Sequence, residues 1–153
     1  MGWSSAAWCY LGGTCADVAR ARAWFVRDRR LRGGRGSWVE LVGSELATNA
    51  VRHTASSEKY GRMGLSLEFL GERTVLLGVL DQGPRFGGPV LTPQVVDRQP
   101  GELNPGGRGL WLVDRIADFW WWEGQRGQPL LLRAIIRLDR EPDLGEIGLD
   151  LVS

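Results

Sequence analysis

The chain has 153 residues, 43% hydrophobic and 24% charged, the balance of a globular domain with one core rather than a disordered tail. Nineteen basic against eighteen acidic residues leave a formal charge of +1, which argues against a dedicated nucleic-acid or membrane-surface protein. No apolar run approaches the ~20 residues of a membrane span, the start lacks a secretion-signal pattern, and two cysteines, Cys9 and Cys15, cannot build a disulfide framework or a four-ligand zinc site, so a single cytoplasmic domain is expected.

Trp8 to Leu11 suits a short first strand. Thr14 with Asp17 three residues on suits a helix start, and Val18, Ala21, Trp24 and Phe25 recur at helical spacing, predicting a helix that runs to Gly33-Gly34. Ser37 with Glu40 predicts a capping box for a second helix carrying Trp38, Leu41, Val42, Leu46 and Val51 and ending near Thr54. From Met63 to Phe69 apolar and polar residues alternate, as in a half-buried strand. Val75 to Leu80 is apolar on both faces, as in a central strand, and it ends in Asp81. Pro84 to Pro105 is rich in glycine and proline and reads as a long loop; such loops are usually functional lids or disordered segments. Leu110 to Asp118 predicts a helix opening on a glycine cluster, and Phe119 to Glu123 with Leu130 to Leu138 predicts a hairpin turning through Gly124, Gly127 and Pro129. The order is βααββαββ. The expected fold class is α+β, a two-layer α/β sandwich with a mixed, mostly antiparallel sheet and helices on one face. Residues 1–140 would form the domain, and 141–153 an acidic tail with no clear element.

Three short patterns carry chemistry. Glu45 and Asn49 lie one turn apart on the second helix, with His53 continuing the stripe and Arg52 nearby. An amide oxygen is a hard, neutral ligand suited to Mg²⁺, and a carboxylate can take a proton from an attacking hydroxyl. The same pair also occurs on many exposed helices. Asp81 closes an apolar strand; an ionised carboxylate accepts only, so an adenine amino group would satisfy it and guanine's oxygen would be repelled. The competing reading is an Asp that caps a turn. Gly83 beyond it would let backbone approach the ring. Gly106-Gly107-Arg108-Gly109-Leu110 precedes a helix, where unpaired N–H groups, the dipole and an arginine suit a polyphosphate. A flexible glycine linker is the alternative there.

In combination these patterns resemble the Bergerat-fold ATPases, the superfamily of gyrase B and the histidine kinases. Glu45-Leu46-Ala47-Thr48-Asn49-Ala50-Val51-Arg52-His53 is similar to the N box, Val79-Leu80-Asp81-Gln82-Gly83-Pro84 to the first glycine box, and Gly106 to Val113 to the second. Within the superfamily the chain most resembles the stand-alone anti-sigma-factor serine kinases. That resemblance implies Mg²⁺ at Asn49, a general base at Glu45, adenine recognition by Asp81 beside Gly83, and phosphate contacts from Gly107, Arg108, Gly109 and Leu110; His53 reads equally as a residue bordering the phosphates or as a helix-surface histidine. It implies an ATP lid over about 84–106 and transfer of the γ-phosphoryl group to Ser or Thr of a small antagonist protein. It also implies sequestration of a sigma factor and a homodimer, with no direct nucleic-acid contact.

Two departures stand out. Arg85 occupies the second glycine position of D-x-G-x-G, where it would stiffen or partly fill the nucleotide edge. Pro129 falls where such proteins often carry a Thr or Ser supporting the adenine-bound carboxylate, and proline offers neither hydroxyl nor backbone N–H. Both motivate an alternative, a non-catalytic regulator with a degenerate pocket. Trp120-Trp121-Trp122 must alternate faces on a strand, giving core packing and either a partly covered edge or a partner surface. Seven arginines between Arg20 and Arg35 read as a solvated face with stems over apolar surface, and both cysteines as semi-buried residues.

Overall fold

The computed structural model describes residues 6–59, 61–90, 92–95 and 108–144. In chain order these form β1 (Ala7–Gly12), α1 (Cys15–Phe25), a 3-10 turn (Arg29–Leu31), α2 (Ser37–His53), a second 3-10 turn (Ala55–Ser57), β2 (Arg62–Phe69), β3 (Thr74–Leu80), α3 (Arg108–Ile116), β4 (Phe119–Gly124) and β5 (Leu130–Arg137). The five strands make one sheet in the order β1-β2-β3-β5-β4, and every pairing is antiparallel, not mixed. Of the stretch 84–106, residues 84–90 and 92–95 are described and contain no helix or strand; the rest of the expected lid lies outside the described residues, as do the tail residues 145–153. Leu144, nominally in the tail, is buried in the core. No helix among the described residues is long and apolar enough to cross a membrane.

Register explains the core. Cys9, Leu65, Val79, Leu132 and Trp122 line up across the sheet, and Ala7, Leu67, Leu77, Ala134 and Trp120 form a parallel row on the same face. These rows meet Val39, Val42, Leu46, Ala47 and Ala50 of α2 and Val113 and Ile116 of α3. β3 is central, as its two-faced apolarity predicts. β2 is buried on both faces rather than half-exposed, because Gly64 lies beneath the Tyr10 ring and Ser66 sits against Gly78. Trp120 and Trp122 pack on the core while Trp121 takes the opposite face, its indole N–H donating to Glu123 at 3.4 Å.

The helix ends show where local signals were overridden. Thr14 and Asp17 do form a reciprocal capping box, with Asp17 N–H donating to Thr14 Oγ1 at 3.2 Å and Thr14 N–H to Asp17 Oδ2 at 3.1 Å. α1 nonetheless stops at Phe25 rather than Gly33. Asp28 breaks it by accepting from the Arg30 N–H at 2.9 Å, starting a 3-10 turn. Arg30 also holds the Asp28 carboxylate from its side chain, lowering its pKa to about 2, and stacks over the Phe69 ring at 3.5 Å. Arg27 likewise lies over the Trp24 ring, whereas Arg20 pairs with Asp17 and Arg22 with Ser44. The capping box at Ser37 does not form: Gly36 is the N-cap, with no side-chain cap, and Ser37 begins the helix. Cys15 is exposed at the start of α1, not semi-buried; only Cys9 is intermediate.

α1 and α2 meet closely at Gly43, where an added Cβ would lie 2.3 Å from Cδ2 of the fully buried Phe25. Gly43→Ala would gain about 1 kcal/mol of helix propensity, whereas overpacking a filled core costs about 1–3 kcal/mol. We therefore expect a net loss of stability in urea denaturation. Adding Phe25→Leu should recover part of it, and the double-mutant cycle measures that coupling.

Candidate functional site

α2 is one continuous helix over the whole stripe, so Glu45 and Asn49 are one turn apart and half-buried, with His53 closing the helix. Its apolar residues face the sheet, which leaves Glu45 and Asn49 on the flank of the packed side. Among the described residues no hydrogen bond occupies the Asn49 carboxamide. Burial raises the Glu45 pKa, and the cations Arg52 and Arg22 oppose that shift. Arg22 reaches this point from α1, its guanidinium donating to Ser44 Oγ at 3.2 Å. Sequence reasoning missed Arg22, because only the crossing of α1 on α2 brings it beside Glu45. His53 is shifted the other way: burial first, then Arg52 and Arg85, hold it neutral below the usual imidazole range.

Asp81 lies at the C-terminal end of β3 and is 4% exposed. Its Oδ1 accepts from Gly83 N–H at 2.7 Å and from Leu130 N–H at 3.1 Å, while its own N–H donates to Leu130 O at 3.0 Å. Oδ2 accepts no hydrogen bond from the described residues. Burial raises the pKa of Asp81, and the two backbone donors pull against that rise. A buried carboxylate with one oxygen saturated and the other open suits a single external donor such as an exocyclic amine.

The support expected from position 129 comes instead from the next residue, through the Leu130 backbone N–H. Gly83 has φ +78°, and a Cβ there would lie 3.0 Å from the Gln128 carbonyl carbon and 3.1 Å from the Pro129 nitrogen. Its missing side chain thus admits the chain's own hairpin turn, a contact the sequence reading had assigned to a ligand ring. The Arg85 guanidinium turns toward the end of α2.

The packing of α2 on β3 and on α3 brings the three motifs onto neighbouring elements. The 3-10 turn that follows α2 is joined to the Asp81 loop through Ala55 N–H to Gly83 O at 2.8 Å and Gln82 N–H to Ser56 Oγ at 3.2 Å. Arg108 and Gly109 form the first turn of α3, two residues earlier than the expected helix start, and Leu110 packs partly buried against the core. Gly107 lies outside the described residues.

The chain thus joins an open antiparallel sheet to a helix-borne Glu/Asn pair and a buried Asp at a strand end, and comparison with known families gives its class. The histidine kinase-like ATPase domain matches residues 13–133, and the chain belongs to that family. It is 30% identical over 88 residues to the serine-protein kinase RsbW of Bacillus licheniformis, a match covering 52% of each chain. The chain thus spans about half the length of that relative.

Proposed function

We propose that the protein is an ATP-binding regulator of the anti-sigma-factor serine kinase type, acting on a Ser or Thr of a small antagonist protein. Asp81 carries this reading: a buried carboxylate with one oxygen held by backbone and the other available fits the amino group of adenine. The family match and the likeness to a serine-protein kinase support it. Sequestration of a sigma factor, a homodimeric state and a cytoplasmic location follow from the same resemblance and belong to the proposal.

Among the described residues no group of three His, Cys, Asp or Glu forms a metal cage. Asn49 would hold a Mg²⁺ ion through its amide oxygen, a hard neutral ligand suited to that cation. The ion would neutralise phosphate charge. The chain's own groups would do the rest: Asp81, held by the Gly83 N–H, orients the base, and the α3 N-terminus with Arg108, Gly109 and Leu110 meets the phosphates. Gly107 would contribute its backbone N–H, His53 would border the phosphates as a neutral imidazole, and the 84–106 segment would cover them. The acceptor hydroxyl oxygen bonds to the γ-phosphorus as its bond to the β-bridging oxygen breaks; ADP leaves and the hydroxyl proton passes to the Glu45 carboxylate.

The non-catalytic reading rested on Arg85 and Pro129. Pro129 leaves the support of Asp81 to the Leu130 N–H, and the Arg85 guanidinium turns to α2. Calorimetric titration with Mg-ATP tests the proposal: wild type should release heat, and Asn49→Ala should weaken Mg-ATP binding by about tenfold while changing metal-free ADP binding little. A silent wild-type titration would overturn it.

A further inference from the structure

Arg85 stands where the resemblance calls for a glycine, and the structure gives its side chain a definite task. Its Nε donates to Thr54 O at 3.2 Å, and one terminal nitrogen donates to Val51 O at 3.1 Å and to Ser57 Oγ at 3.0 Å. Val51 and Thr54 belong to the last turn and C-cap of α2, where carbonyls lack helical partners and the dipole favours a cation. Thr54 is itself fixed, its hydroxyl donating to Ala50 O at 2.6 Å and accepting from Ser56 N–H at 3.1 Å. On the other side of Arg85, Gly83 and Gln82 bond to Ala55 and Ser56. Five hydrogen bonds therefore fasten residues 82–85 to residues 51–57. Three of them come from one guanidinium, whose planar fork is suited to several acceptors at once.

Asp81 begins the fastened loop, and Asn49 lies one turn before the fastened helix end. We propose that Arg85 is a positioning residue for nucleotide: it locks the Asp81 loop to the end of α2 and so fixes the spacing between Asp81 and the Glu45–Asn49 face. Where a glycine would leave a pivot, this chain has a brace. The site is then preorganised, and less ordering is left to the binding step. The inference rests on the reading of this site as an adenine-nucleotide site.

A plain helix cap and a positioning brace predict different outcomes for Arg85→Lys. Lysine keeps the positive charge at the helix end but offers one compact ammonium in place of the fork. Arg85→Ala and Arg85→Lys are both expected to raise the Mg-ATP Kd about five- to tenfold, while Arg85→Lys recovers most of the Tm lost in Arg85→Ala. Amide exchange at Ala55, Gln82 and Gly83 should quicken in both variants. If wild type binds nucleotide and Arg85→Lys or Arg85→Ala binds equally well, the positioning role is overturned and the nucleotide reading survives. If wild type binds none, the nucleotide reading itself falls and takes this role with it.

Discussion

Glu45→Gln should abolish phosphoryl transfer to a protein acceptor, by about 10²–10⁴-fold, while Mg-ATP affinity stays within about twofold of wild type. Glutamine keeps the size of the side chain and the helix but cannot accept the hydroxyl proton. Burial raises the Glu45 pKa, with Arg52 and Arg22 working against the rise. A general base acts when ionised, so the transfer rate should climb with pH along a limb lying above the ordinary carboxylate range. Arg22→Ala removes one opposing cation and should move that limb to still higher pH. Stability follows the opposite sense. A raised pKa means the protonated form is favoured in the fold, so this contribution is fully present below the unfolded pKa and fades as pH rises through the folded one. Glu45→Gln should accordingly be no less stable than wild type at neutral pH. Transfer at the wild-type rate in Glu45→Gln, measured with radiolabelled ATP and a cognate acceptor, would remove Glu45 from the base role.

Asp81→Asn separates adenine recognition from turn capping. The Asn oxygen can still accept from Gly83 and Leu130, so the loop has what it needs to hold its shape. The other substituent becomes an amide NH₂, which opposes the adenine amino group donor to donor. An unmatched buried donor pair costs about 1–3 kcal/mol, and loss of the charge-assisted bond adds to it, so ATP affinity should fall about 100-fold. Because burial raises the Asp81 pKa, ionisation at neutral pH weakens the free fold. The variant should therefore melt at an equal or higher temperature, by about 2–4 °C for each kcal/mol relieved. A ligand site that spends stability on function behaves this way. The opposite pattern, unchanged affinity with a lowered Tm, would make Asp81 a turn cap.

Much of the fold was legible because its signals were repetitive. The alternation in β5 and the two-faced apolarity of β3 are set by burial over many residues, whereas the alternation in β2 marked a strand but not the cover that Tyr10 and Gly78 give its second face. Boundaries rested on one or two residues, and there tertiary context won. α1 ends where Asp28 captures a backbone N–H, and α2 starts from Gly36 although Ser37 and Glu40 had the capping pattern. The site divides in the same way. Asp81 was visible as a carboxylate closing an apolar strand, and Glu45 and Asn49 only in combination with the two glycine-containing motifs. Leu130 was not, because it acts through a backbone N–H that any residue but proline carries. Arg22 and Arg85 reach their partners across 22 and 28 to 34 positions of sequence, distances that only the packed helices close.

The central claim is that the α2 stripe and the Asp81 loop serve one ligand. Backbone amide NMR with Mg²⁺ and a non-hydrolysable ATP analogue tests it most directly. Saturable shifts should appear together, with one Kd, at residues 45–53 and 81–83. Shifts confined to one of these segments, or to neither, would contradict it.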